Sequence, residues 1–280
     1  MEDITAEFDA ATLAPAAELR TRIAVSYGAK TDMGRVRDNN EDKYEFFLPD
    51  TDSELASRGL IFIVCDGMGG HEAGQFASEL AVKTFIDVYR SHPSTDPVEA
   101  ARAAALAANR FVLDVSRAIP SRRGMGTTLS ALMLVQDSAV VAHVGDSRIY
   151  RLRAGELSQL TDDHTWVEET VKAGMMSRED AELSQYRHAI TRAIGSEDSL
   201  TPDVFQVDLQ AGDYFFICSD GITNHVEPLA IEQTLRESGP SAAVWSLVNQ
   251  ALAGGGSDNA TGIAVRIDAL TPEPSLETQL

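Results

Sequence analysis

Five acidic spots in this chain stand where carboxylates could share metal ions. Asp66 opens Asp-Gly-Met-Gly-Gly directly after the apolar run Leu60 to Cys65, and Asp220 opens Asp-Gly after Phe-Phe-Ile-Cys-Ser. Asp258 lies in Gly-Gly-Gly-Ser-Asp-Asn just before Gly-Ile-Ala-Val-Arg-Ile, Asp146 lies in Val-Gly-Asp-Ser-Arg, and Glu41 with Asp42 follows Arg37. Strand ends bring distant residues together, and carboxylates gathered at a core edge repel one another unless cations sit between them. An all-oxygen ligand set selects hard divalent ions, so Mg²⁺ or Mn²⁺ is expected; the lack of a His or Cys cluster argues against zinc. Glycine beside Asp66 leaves room for a main-chain carbonyl to reach a metal or for a phosphate to come close, and Gly67 is the expected carbonyl donor. Any one of these acids alone is an ordinary turn residue. The group is hard to generate by turn chemistry.

Other motifs fail on inspection. His71-Glu72-Ala73-Gly74-Gln75 lacks the second His of a zinc protease helix, no P-loop Gly-Lys-Ser/Thr occurs, and the run from Asp38 to Asp42 lacks the glycine and glutamate of an EF-hand.

The acids need a scaffold. At 280 residues and 44% hydrophobic side chains, the chain can bury a full core. One domain is expected over 21–269, with an acidic, flexible N-terminal extension at 1–20 and a flexible tail at 270–280. The formal charge of −20 has the wrong sign for nucleic acid or anionic lipid. Leu60 to Cys65 is too short to span a bilayer. The first twenty residues lack a basic start and a continuous apolar stretch, so no export signal is expected and the cytoplasm is the expected location. Cys65 and Cys218 each sit in an apolar run and are expected to be reduced thiols.

Strands are expected at 60–65, 129–135, 138–144, 148–152, 213–218 and 262–267, where β-branched and aromatic residues cluster. Short turns such as Gln136-Asp137 and Arg153 to Glu156 favour antiparallel hairpins. Helices are expected at 72–90, 97–118, 227–237 and 241–252, with Asp96 capping the second and Pro97 in its first turn. Thr165 with Glu168, and Ser177 with Asp180, have capping-box spacing, and Gly174 can close the helix between them. Strands in hairpins and helices in blocks indicate an α+β layered domain.

Taken in order, RDNNED (37–42), DGMGGH (66–71), MGTTL (125–129), VGDSR (144–148), TDDH (161–164), TRAIG (191–195), CSDG (218–221) and SDNAT (257–261) resemble the PPM (PP2C-type) family of metal-dependent protein phosphatases, in its compact bacterial form. The resemblance spans about 24–267. It implies a four-layer α-β-β-α sandwich of two antiparallel sheets flanked by helix pairs. It also implies hydrolysis of phosphoserine and phosphothreonine by a water that two metal ions activate, opposing a bacterial Ser/Thr kinase.

By the same resemblance Asp66 would bridge two ions and Gly67 would give its carbonyl to the first, while Asp220 and Asp258 would hold the second. Asp146 with Asp220 would bind a third ion, Glu41 and Asp42 would act through water, and Arg37 would grip the phosphate. Eukaryotic relatives carry a His after Asp-Gly; Met68 stands here and cannot donate a proton, which makes His71 a candidate acid. The stretch 165–192 resembles the family's flap, with Arg187, His188 and Arg192 near its end; Arg122 and Arg123 read as surface charges, and His143 as a core histidine. Phosphoproteins are the expected partners and a monomer the expected state. The residues leave two other functions open: a noncatalytic phosphoprotein-binding module of the same fold, and a phosphatase of small-molecule phosphates.

Overall fold

The computed structural model describes residues 17–70 and 72–274. Two antiparallel sheets face each other. The first runs in the order β1 (Thr21–Asp32), β11 (Ala260–Pro272), β10 (Tyr214–Cys218), β7 (Arg148–Arg153) and β8 (Glu156–Gln159). The second runs β2 (Asp42–Phe47), β3 (Leu60–Met68), β5 (Leu129–Val135), β6 (Ser138–Val144) and β9 (Asp203–Asp208), with the short β4 (Gly126–Thr127) pairing the end of β3.

Helices α2 (Glu72–Ser91) and α3 (Pro97–Ala118) cover the second sheet, and α7 (Pro228–Glu237) and α8 (Pro240–Ala253) cover the first. The expected four layers are present. Short helices α1 (Asp52–Arg58), α4 (Trp166–Lys172), α5 (Arg178–Leu183) and α6 (Asp220–Thr223) occupy the connections. Among the described residues no helix is long and apolar enough to cross a membrane.

The unbroken apolar runs follow from this layering, because an interior strand is covered on both faces. In β3, Leu60, Phe62 and Val64 face the core between the sheets, while Ile61, Ile63 and Cys65 pack under α2 and α3. In β10, Phe215 and Ile217 enter the inter-sheet core, and Tyr214, Phe216 and Cys218 pack with α7 and α8. Both cysteines are buried and free. The alanines of α3 at 100, 101, 104, 105 and 108 are buried, which lets α2 and α3 approach closely.

Local signals match their elements. Asp96 accepts from the Val98 amide at 2.9 Å at the start of α3. Thr165 and Ser177 accept from the amides of Glu168 and Asp180, and Gly174 has φ +70° after α4. In both boxes the acid is engaged elsewhere than on the cap amide: the Glu168 carboxylate accepts from Arg178 Nη1 at 2.5 Å, and Asp180 Oδ2 accepts from Ser177 Oγ at 2.7 Å. Arg122 is no simple surface charge, since it donates to the Glu72 carbonyl at 2.5 Å and lies 4.3 Å over the Phe76 ring.

Candidate active site

Strand pairing assembles the acids. Asp42 and Asp66 are opposite partners where β2 meets β3, and Gly67 pairs Thr127 across β4. The Asp66 amide donates to Thr128 Oγ1 at 2.9 Å, and its carbonyl accepts from Thr127 Oγ1 and the Thr128 amide, both at 2.8 Å. Asp146 follows β6, Asp220 opens α6 directly after β10, and Asp258 precedes β11, which pairs β10. Arg37, Glu41, Asp66, Gly67, Asp146, Asp220 and Asp258 line one cleft of about 450 Å³. Asp42 lies behind it, buried, with Oδ2 accepting from Ser219 Oγ at 2.7 Å and Oδ1 without a hydrogen-bond partner among the described residues.

Crowding marks the acids electrostatically. Burial pushes Asp66 well above the carboxylate range, and the charges of Asp42 and Asp220 push it further. Burial lifts Asp146 to about 8, with Asp220 and Asp163 adding to it. Burial likewise lifts Asp42 to about 7, helped by Asp220 and Asp258. Asp220 is raised by burial and then by Asp258, although Asn224 Nδ2 donates to its Oδ2 at 3.0 Å.

These are groups that a cation would relieve, and the orphaned Asp42 Oδ1 and the all-oxygen donors fit a hard divalent ion. The arrangement is looser than a cage: among the described residues, no three His, Cys, Asp or Glu side chains form a closed ligand set. Carboxylates that repel one another stand apart without a cation, and a hard divalent ion, with water completing its shell, would draw them together.

The surrounding polar residues hold these acids in place. Asn259 accepts from the Glu41 amide at 2.8 Å and donates to the carbonyls of Met33 at 2.8 Å and Asn39 at 2.9 Å, fixing the loop that carries Arg37 and Glu41. Arg37 Nη2 donates to Asp258 Oδ2 at 2.7 Å. Gly67 has a further reason to be glycine: a Cβ there would lie 2.2 Å from the Gly74 carbonyl oxygen and 2.6 Å from that of Glu41. Close packing of α2 against the Asp66 turn therefore forbids a side chain, whatever approaches from the cleft.

Asn259 and Ser219 were visible in their motifs but carried no separate chemical signal. His188 lines the cleft, with Nδ1 3.9 Å from Asp220 Oδ2. Arg187 and His188 also line an adjoining pocket of about 410 Å³ beneath α4 and α5. Arg192 is tied down instead, 3.4 Å from Asp203 and 3.9 Å from Glu169. Met68 lines the cleft, and His71, the candidate acid, lies outside the described residues. His143 is a satisfied core residue, bonded to Ser130 Oγ at 2.9 Å and the Asp162 carbonyl at 3.0 Å, and pushed down to about 4 by burial.

The profile of the family described as "Protein phosphatase 2C" matches residues 37–253. The chain is 36% identical over 244 residues to the "Serine/threonine phosphatase stp" of Listeria monocytogenes, covering 85% of this chain and 94% of that one. It is 38% identical over 235 residues to "Protein phosphatase PhpP" of Streptococcus pneumoniae, covering 82% and 93%. Its fold is similar to a solved catalytic domain of the phosphatase PstP in complex with two manganese ions, with TM-score 0.76, 32% identity, and 89% and 100% of the two chains covered.

Proposed function

Because the chain belongs to the protein phosphatase 2C family, we propose that it hydrolyses phosphoserine and phosphothreonine on proteins, opposing a Ser/Thr kinase. The observation that carries this reading is the gathering of Asp66, Asp146, Asp220 and Asp258 on one cleft with Arg37 at its rim. Asp66 and the Gly67 carbonyl would hold one ion, Asp66, Asp220 and Asp258 the second, and Asp146 with Asp220 a third. The ions, when bound, supply an activated water and offset negative charge on the phosphoryl oxygens.

The chain's own residues do the rest. Arg37, with a side chain 52% exposed, can exchange Asp258 for a phosphate and grip two of its oxygens. Glu41 and Asp42 orient water at the back of the cleft. The 165–192 flap covers the side where Asp146 and Asp220 are shared with the adjoining pocket, and Arg187 and His188 meet the substrate there. We further propose that the protein works as a cytoplasmic monomer, with Mn²⁺ or Mg²⁺ as its metal.

Hydrolysis of p-nitrophenyl phosphate and of a phosphothreonine peptide should require Mn²⁺ or Mg²⁺ and disappear in Asp66→Ala and Asp220→Ala. Metal-independent turnover would remove this reading, and a preference for metabolite phosphates over phosphopeptides would redirect it to small substrates.

A further inference from the structure

A histidine outside the catalytic cleft holds the loop that delivers one of its aspartates. Asp258 follows Ser257, which three consecutive glycines precede, and of these Gly255 and Gly256 have φ of +137° and +56°. Such a run has wide conformational freedom and gives no fixed direction to the side chain after it. The loop is nevertheless anchored on both sides of Asp258. After it, Asn259 makes the three bonds that tie it to the 33–41 loop. Before it, His225 Nε2 lies 2.8 Å from Ser257 Oγ and accepts from the Ser257 amide at 3.3 Å.

His225 sits just beyond α6, the helix that Asp220 opens. Its side chain packs against the glycine run: a Cβ added at Gly254 would be 3.0 Å from His225 Cβ, and one added at Gly255 would be 3.4 Å from Cε1. His225 thus buckles the segment carrying Asp220 to the segment carrying Asp258, the pair assigned above to one ion. The amide bond requires Nε2 as acceptor, which puts the ring proton on Nδ1 in the neutral form.

We propose that His225 is a positioning residue for metal binding, which sets Asp258 opposite Asp220 through Ser257. This rests on the reading of Asp220 and Asp258 as ligands. Groups that orient metal ligands typically change metal affinity by about 10- to 100-fold when removed, and His225 acts one bond further out, so an effect of roughly three- to tenfold is expected.

The test is calorimetric titration of the full chain, stripped of metal by chelation, with Mn²⁺. His225→Ala should weaken Mn²⁺ binding by roughly three- to tenfold, while His225→Gln, whose amide oxygen can accept from Ser257, should restore most of the affinity. At saturating Mn²⁺ the KM for a phosphopeptide should be unchanged in both, because His225 does not line the cleft. Mn²⁺ affinity in His225→Ala within twofold of the parent, with its metal-free melting temperature intact, would overturn the proposal. Equal losses in His225→Ala and His225→Gln would also overturn it, by reducing the ring to packing. Asp258→Asn serves as the control: if it too leaves Mn²⁺ binding unchanged, the ligand assignment has failed and not the buckle alone.

Discussion

The cleft and the flap handle polar groups in opposite ways. Asp66 and Asp220 stand at the ends of β3 and β10, interior strands whose apolar residues are buried on both faces, and Asp146 follows β6. Packed sheets hold these carboxylates together against their mutual repulsion. Segment 165–192, the proposed flap, is built on helices of seven and six residues, held by N-cap bonds and by the ion pair of exposed Arg178 with half-buried Glu168, with Trp166, Met175, Leu183 and Tyr186 exposed. Little apolar burial secures it, so it can open at a small fraction of the global unfolding free energy. The packed half fixes where charge sits, and the loosely held half is the part proposed to meet the substrate.

Substitutions should separate the two regions, and the largest effect belongs to the cleft. Asp220→Asn should lower kcat/KM by about a thousandfold. The metal-free protein should not melt lower for it, because one of several crowded charges is gone. A large fall in melting temperature with activity retained would reverse the roles of cleft and scaffold. Four residues before Asp66 in β3, Phe62 is fully buried between the sheets. Phe62→Ala should cost about 3–5 kcal/mol in denaturant unfolding, and Mn²⁺-saturated kcat should change far less than in Asp220→Asn.

The third effect is on pH. Asp42 and Asp146 have folded pKa values raised to about 7 and about 8, above their unfolded values. A raised carboxyl pKa means that the folded state binds more protons, so this contribution to stability is present at low pH and is lost as pH rises through 7 to 8. A divalent ion must displace those protons. Mn²⁺ affinity should therefore be about tenfold or more higher at pH 8 than at pH 6, and thermal stabilisation by Mn²⁺ should grow in the same direction. Affinity flat across that range would mean that the carboxylates are not crowded as the cleft suggests.

The smallest effect belongs to the flap. Thr165→Ala removes the cap of α4. It should cost about 1 kcal/mol locally, seen as faster hydrogen exchange within 165–192, with the global melting temperature nearly unchanged. A global loss of stability would show that the flap is part of the cooperative core.

How legible the molecule was in its sequence follows the same division. The six interior strands, β3, β5, β6, β7, β10 and β11, were all visible as runs rich in β-branched and aromatic residues, because burial on both faces thins out polar residues; β7 keeps Arg148, Arg151 and Arg153 and shows its signal through Ile149, Tyr150 and Leu152. The strands without an expected range included all four edges, β1, β2, β8 and β9. Edge strands carry charges such as Arg22 and Lys30 in β1 or Asp203 and Asp208 in β9, which protect the edge from further pairing and also hide the strand signal.

Asp66, Asp146, Asp220 and Asp258 were legible because each adjoins an interior strand, whereas Glu41 and Asp42 stand at the start of the edge strand β2 and were read from their own run of polar residues. Their supports were not, since Asn259 and Ser219 act through tertiary contacts that spacing does not encode. Gly67 was read as making room for a ligand, yet the carbonyls of Gly74 and Glu41 already require it.

The most direct test is an anomalous difference map from crystals grown with Mn²⁺. Two peaks inside the cleft, one between Asp66 and the Gly67 carbonyl and one shared by Asp66, Asp220 and Asp258, are the predicted result. Peaks only outside the cleft, or none while the crystals still hydrolyse a phosphoester, would contradict the account.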